Sequence, residues 1–137
     1  MARRSKAREV AMQMLYQMDV NADIDPRTVR SQIAEEIDKD DLREFAWQLF
    51  AGVLECRSEI DTRLEQVAEN WSLARMAITD RNALRIGAFE ILHSDTPFQV
   101  AIDEAIELAR KFGSAQSPQF VNGLLDKLVT ADRKTKA

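Results

Sequence analysis

Residue types that usually carry catalytic or redox chemistry are scarce in this chain. Its 137 residues include one cysteine, Cys56, and one histidine, His93. A single cysteine excludes a disulfide within the chain. A single histidine leaves any nucleophile only one imidazole to act as its base. We expect Cys56 to be a small buried thiol, and His93 either to hydrogen-bond the last carbonyls of a helix or to lie on the surface.

Patterns that hold cofactors and metals are also missing. The sequence contains neither a G-x-G-x-x-G stretch nor a phosphate-loop lysine. It has no closely spaced histidines and cysteines and no acidic loop with a glycine, which are the usual metal-binding patterns. The many acidic residues are arranged like solvated helix faces and caps. We therefore expect no catalytic residue, no cofactor and no metal, and a protein that is not an enzyme.

Long apolar runs are absent as well. No run approaches the roughly 18 residues that a membrane-spanning helix needs, and no charged-then-apolar leader opens the chain. With its unpaired cysteine, this predicts a cytoplasmic protein without membrane contact. The length suits one domain over residues 1–137.

Apolar residues recur three and four positions apart over almost the whole chain, which predicts an all-α protein of about seven helices without a sheet. The first helix covers about residues 5–20, and Asp25-Pro26 begins the second with an N-cap and a proline. Asp41 and Glu44 resemble a reciprocal cap for the third helix. Ser58 begins a fourth, which ends near Trp71, a residue expected in the core.

The last three predicted helices carry small residues at informative places. The fifth follows Asp80, and Gly87 at its centre predicts a close helix crossing. The sixth ends before Gly113, which suits the left-handed backbone that often closes helices. A seventh begins at Ser117. It continues through Asn122-Gly123, because apolar residues keep helical spacing on both sides of that turn-like pair.

Positive charge is concentrated at the start of a chain whose net charge is −4. Basic side chains there oppose the helix macrodipole at a cost of a few tenths of a kcal/mol each, roughly. They therefore indicate a polyanionic partner, although a merely solubilising role stays open. So small a patch predicts weak, salt-sensitive and largely sequence-indifferent binding to nucleic-acid phosphates. The four residues are Arg3, Arg4, Lys6 and Arg8.

Four stretches are similar to the NusB family of bacterial transcription antitermination factors. They are RRSKAREVAMQMLYQMD, DRNALRIGAFEIL, VAIDEAIELARKFG and FVNGLLDKL. The resemblance covers nearly the whole chain, with only helical character supporting residues 21–43. It implies two three-helix bundles packed across one another, with an added helix.

The resemblance also implies partners and site residues. NusB-like proteins bind single-stranded boxA RNA of ribosomal leader transcripts together with the ribosomal protein NusE, and act with RNA polymerase. Tyr16, which lies off the apolar stripe, and Asp80 match surfaces associated with NusE. The loop before the last helix reads GSAQSP without an acidic residue, a departure from the family. The residues matching RNA contacts are Arg3, Arg4, Lys6, Arg8, Gln116, Ser117 and Phe120.

Two alternatives stay open. One is an RNA-binding helical domain related to that of ribosomal RNA methyltransferases. The other is a structural homodimer without RNA, in which the first arginines pair with a neighbour's acidic face. The free oligomeric state and any role of the basic tail, Arg133, Lys134 and Lys136, are also open.

Overall fold

A computed structural model describes residues 2–69 and 71–136, with side chains for residues 4–69 and 71–133. Within these ranges the chain forms six α-helices and no strand, so the predicted all-α class is confirmed. No described helix has the length and apolar character needed to cross a membrane. The elements are α1 (Ala2–Val20), α2 (Pro26–Glu36), α3 (Asp40–Val67), a 3₁₀ turn (Leu73–Arg75), α4 (Ile78–His93), α5 (Phe98–Phe112) and α6 (Ser117–Lys136).

The predicted third and fourth helices are one helix, α3, and the predicted break at Ser58 is wrong. The buried residues of α3 continue from Val53 to Ile60 on both sides of that position. Asp61, expected near the new helix start, accepts two hydrogen bonds from Arg85 at 2.9 Å. A cap-like spacing inside a continuous apolar stripe therefore does not end the helix.

The ends of the helices follow the sequence only in part. The carboxylate of Asp25 caps α2 by accepting from the Arg27 backbone N–H at 2.8 Å, as predicted. Asp41 does not cap α3, because the N-cap position belongs to Lys39. Gly113 ends α5 with φ −102°, not in the left-handed region. Its role is steric, since a Cβ there would meet the carbonyl oxygen of Ala109 at 2.8 Å.

The six helices form two groups of three around one hydrophobic core. Helices α1, α2 and α3 contact one another, as do α4, α5 and α6, and both α1 and α3 pack against α4. Gly87 allows the close crossing that its position predicts. A Cβ there would lie 2.7 Å from the Leu125 side chain of α6 and 3.1 Å from Ala105 of α5.

Trp71 lies outside this core, contrary to expectation. Helix α3 ends at Val67, and Trp71 follows it with 54% of its surface exposed. Its ring lies edge-on to that of Phe120, with 5.8 Å between the centroids. The apolar spacing predicts a helix that continues to near Trp71. Because α3 ends at Val67, the chain leaves the packed core before it reaches Trp71.

Candidate nucleic-acid interface

The amino end of α1 carries two exposed cations, Arg4 and Lys6, and is called the open cationic end below. The two residues lie two positions apart, so they project to different sides of the helix. The Arg4 guanidinium lies over the Phe45 ring, 4.6 Å from its centroid. Within the described part of the chain, no carboxylate forms an ion pair with either cation. The side chain of Arg3 lies outside the described residues. Phe45 thus orients Arg4 while leaving its donors accessible.

Arg8 does not belong to this open cationic end. Its side chain is buried, which disfavours the predicted direct contact with RNA. It is 2% exposed. Its Nε and Nη2 donate to the two carboxylate oxygens of Glu90 at 2.7 and 2.8 Å, and its Nη1 donates to Glu104 at 2.9 Å. Burial by itself lowers the pKa of Arg8, but the hydrogen bonds and charges of both carboxylates raise it above its ordinary value. Arg8 is therefore a charged anchor.

This buried network positions the start of α1. Thr96 donates its hydroxyl to Glu90 at 3.0 Å, and Ser5 donates to Glu104 at 2.5 Å. Arg8 thereby joins α1 to α4 and α5, one helical turn after Arg4. The sequence did contain a signal for this role. Glu90 interrupts the apolar run of α4, and a buried carboxylate needs a cationic or hydrogen-bonding partner.

The loop before α6 supplies a second group of predicted contacts. Gln116 is exposed and Phe120 is half-buried, so both are accessible. Ser117 is 2% exposed, and its hydroxyl accepts from the backbone N–H of Ser114 at 2.9 Å. The Ser117 side chain holds the loop closed, and its burial disfavours the predicted direct contact with RNA.

A pocket brings this loop together with the residues between α3 and α4. Trp71 and Phe120 form its aromatic wall, and Arg75 adds a cation. Asp80 also lines it and has one buried carboxylate oxygen without a hydrogen-bond partner among the described residues. Sequence reasoning missed Trp71 and Arg75, because the short-range pattern does not show which residues of the connector face the loop before α6.

The carboxyl end of α1 is joined to the amino end of α4 through Asp19. One of its carboxylate oxygens accepts from Arg81 at 3.2 Å and from Asn82 at 3.0 Å. Tyr16, one turn earlier, is 42% exposed, as its place off the apolar stripe predicts. Val20 beside it is 58% exposed. This end of α1 therefore offers an apolar surface next to the helix that carries Asp80.

His93 is exposed, as the surface role predicts. Its Nε2 lies 2.8 Å from a carboxylate oxygen of Glu59 on α3. Cys56, expected to be buried, is only half-buried and is close to both. Sequence spacing did not indicate this cluster, since its third member comes from a different helix.

These features define a class first: an all-α protein of two three-helix groups, with open cations at the start of α1 and an aromatic pocket before α6. The model of the NusB family matches residues 5–130. The transcription antitermination protein NusB of Anaeromyxobacter dehalogenans (strain 2CP-1 / ATCC BAA-258) is 45% identical over 130 residues, which cover 94% of this chain and 92% of that relative. The chain belongs to the NusB family.

Other similar proteins support the same family membership. The transcription antitermination protein NusB of Desulfitobacterium hafniense (strain DSM 10664 / DCB-2) is 42% identical over 136 residues, covering 96% of this chain and 90% of that one. The solved structure of T. maritima NusB has a TM-score of 0.83 at 33% identity, and the match covers 98% of this chain and 97% of that one. A structure of antitermination factors NusB and NusE in complex with dsRNA has a TM-score of 0.84 at 27% identity, and the match covers 96% of this chain and 98% of the matched chain.

Proposed function

We propose that this protein is a transcription antitermination factor that binds the boxA element of nascent ribosomal RNA leaders together with NusE. In the cytoplasm it joins RNA polymerase in an antitermination complex and suppresses premature termination. Its role is binding, not catalysis. The observation that carries this proposal is the exposure of Arg4 and Lys6 at the start of α1, in an acidic chain whose relatives are named antitermination proteins.

The RNA contact has an electrostatic part and a stacking part. Arg4 and Lys6 hold backbone phosphates, which gives salt-sensitive binding without sequence preference. The side chain of Arg3 is proposed to add a third cation. In the pocket beside the loop before α6, an unpaired base stacks on Trp71 or Phe120. Such stacking contributes about 1–3 kcal/mol per base. Arg75 and Gln116 border that position.

NusE is proposed to complete the RNA-binding surface. An overall charge of −4 repels RNA at a distance, so tight binding needs a second, basic protein. Tyr16 and Val20 give NusE an apolar contact, and Asp80 lies on the adjoining helix. The solved neighbour that contains both NusB and NusE with dsRNA supports this pairing.

The alternative of a structural homodimer is weakened by Arg8. That arginine already pairs within its own chain, so fewer cations can reach a neighbour's acidic face. A homodimer of the free protein nevertheless remains compatible with the exposed apolar end of α1. The methyltransferase-related alternative is disfavoured by relatives that are named antitermination proteins and are covered over 90% or more of their length.

The test replaces both open cations, in Arg4→Gln with Lys6→Gln. Binding to a fluorescent boxA RNA is measured by anisotropy with NusE present, at several salt concentrations and against a scrambled RNA. We expect about tenfold weaker binding and a salt slope that is shallower by about 1.4, since each lost single-strand phosphate contact contributes about 0.7.

The matched control is Arg57→Gln with Arg110→Gln, which removes the same charge from two other exposed positions. We expect it to keep most of the affinity and of the salt slope. Equal losses in both double variants would mean that net charge, not the start of α1, governs binding. Unchanged affinity in the first variant would remove Arg4 and Lys6 from the RNA contact.

A further inference from the structure

Three side chains with different donor atoms meet between α3 and α4. Cys56 and Glu59 lie three residues apart on α3 and so share one face of that helix. His93 lies in the last turn of α4. The thiol sulfur, a carboxylate oxygen and an imidazole nitrogen all lie within 4.8 Å of one another, and His93 Nε2 already lies 2.8 Å from Glu59.

The two helices are held close together next to this cluster. Gly52 precedes Cys56 by one helical turn, and Phe89 precedes His93 by one turn. The Phe89 ring occupies the space beside Gly52, where an added Cβ would lie 3.1 Å from its Cε2 atom and nearer still to other ring atoms. The same ring lies 5.9 Å from that of His93, centroid to centroid. Backbone packing therefore sets the separation of the donors.

We propose that Cys56, Glu59 and His93 bind a zinc ion. Thiolate, imidazole and carboxylate are the three zinc ligands that proteins use, and three of them with a water complete a tetrahedron. Zinc–ligand bonds of about 2.0–2.3 Å place the donors about 3.5 Å apart. Side-chain rotations of half-buried and exposed groups can close the remaining gap without moving either helix.

The charges around the cluster favour a divalent cation. The carboxylates of Glu55 and Glu59 place negative charge beside the Cys56 sulfur. The thiol would release its proton to solvent as the sulfur–zinc bond forms, and no oxidant takes part. Arg63, which borders the same groove, donates to Asp132 at 3.1 Å, so part of its charge is already paired.

Zinc at this position would have two structural consequences. It would link α3 of the first helix group to α4 of the second. It would also add positive charge near Arg4, because Arg4 and His93 line one groove. This inference does not rest on the proposed RNA binding, and its test needs neither RNA nor NusE.

The test titrates tag-free protein with Co²⁺ and then with Zn²⁺ as competitor. We expect one Co²⁺ per chain, a near-ultraviolet thiolate-to-cobalt charge-transfer band, and loss of that band as Zn²⁺ displaces the cobalt. Cys56→Ser removes the band. His93→Asn and Glu59→Gln each weaken zinc binding at least tenfold, and Zn²⁺ raises the melting temperature of the wild type but not of Cys56→Ser.

Glu55→Gln is the matched control, since it removes one neighbouring negative charge but none of the three ligands. It should keep the charge-transfer band and bind zinc within about threefold of the wild type. Circular dichroism of each variant verifies that the helices are intact. The proposal is overturned if wild-type protein gives no band at saturating Co²⁺, or if His93→Asn and Glu59→Gln bind zinc like the wild type.

Discussion

The two ends of α1 are built on opposite charges. Arg8 lies near the amino end, beyond the first turn, and Asp19 lies in the last turn, where the helix macrodipole disfavours a negative charge. Each is compensated by an ion pair to α4. The amino-end pair is drier, with 3% and 1% of the Arg8 and Glu90 side chains exposed, against 12% and 17% for Asp19 and Arg81.

The surfaces left open at the two ends also differ. On the amino-terminal side of Arg8, α1 exposes the cations Arg4 and Lys6, whose charge suits a phosphate backbone. Before and after Asp19 it exposes Tyr16 and Val20, which suit an apolar protein surface. A charged residue near an exposed surface can therefore support that surface without being part of it. Burial distinguishes the support from the surface, and spacing along the helix does not.

The largest effect is expected from Arg8→Met. Removing the guanidinium leaves the carboxylate of Glu90 buried without its main partner, which should lower the free energy of unfolding by about 3–5 kcal/mol. Urea denaturation followed by circular dichroism measures this change. Arg4→Met, one turn earlier and exposed, should change it by less than about 0.5 kcal/mol.

A double-mutant cycle of Arg8→Met, Glu90→Leu and the double variant then measures the coupling energy between Arg8 and Glu90. Adding Glu90→Leu to Arg8→Met should recover part of the lost stability, because the unpaired buried charge is gone. If Arg8→Met alone is as stable as Arg4→Met, the amino end of α1 has no anchor and the comparison fails.

A smaller effect is expected at the carboxyl end from Asp19→Asn. The amide keeps one hydrogen-bond acceptor but loses the charge that Arg81 and Arg85 share. We expect a loss of about 1–3 kcal/mol in the free energy of unfolding, less than for Arg8→Met because water partly hydrates this network. The same urea denaturation measures it, and a loss larger than that of Arg8→Met would reverse the ranking of the two ends.

Tyr16→Ala should change stability least, by under about 0.5 kcal/mol, because its side chain is exposed. Its effect should appear in binding to NusE, which we expect to weaken about tenfold, as for a central aromatic contact. Isothermal titration calorimetry measures this affinity. Val100→Ala, an exposed apolar residue of α5, is the control and should leave the affinity unchanged. Similar losses in both variants would count against the carboxyl end of α1 as the NusE surface.

Much of the fold was predictable because its information is local. Helical spacing of apolar residues identified the all-α class, and Asp25 with Pro26 marked the start of α2. The break predicted at Ser58 was wrong because capping residues also occur inside helices, where tertiary partners use them. The core position predicted for Trp71 was wrong because the packed face ends before the apolar pattern does.

The exposure of the proposed site residues was predictable only in part. Arg4, Lys6, Tyr16 and Phe120 are accessible. Arg8 and Ser117 are not, because their partners lie on other segments. The aromatic pocket and the Cys56 cluster were missed for the same reason.

The amino-acid sequence by itself determined that this protein is helical, that its first helix begins with cations and that it resembles the NusB family. These properties depend on residues a few positions apart. Only the tertiary structure decided that Arg8 is buried while Arg4 is open, and that Cys56, Glu59 and His93 meet. Such outcomes depend on which carboxylates and donors the packing of distant helices brings within hydrogen-bonding distance.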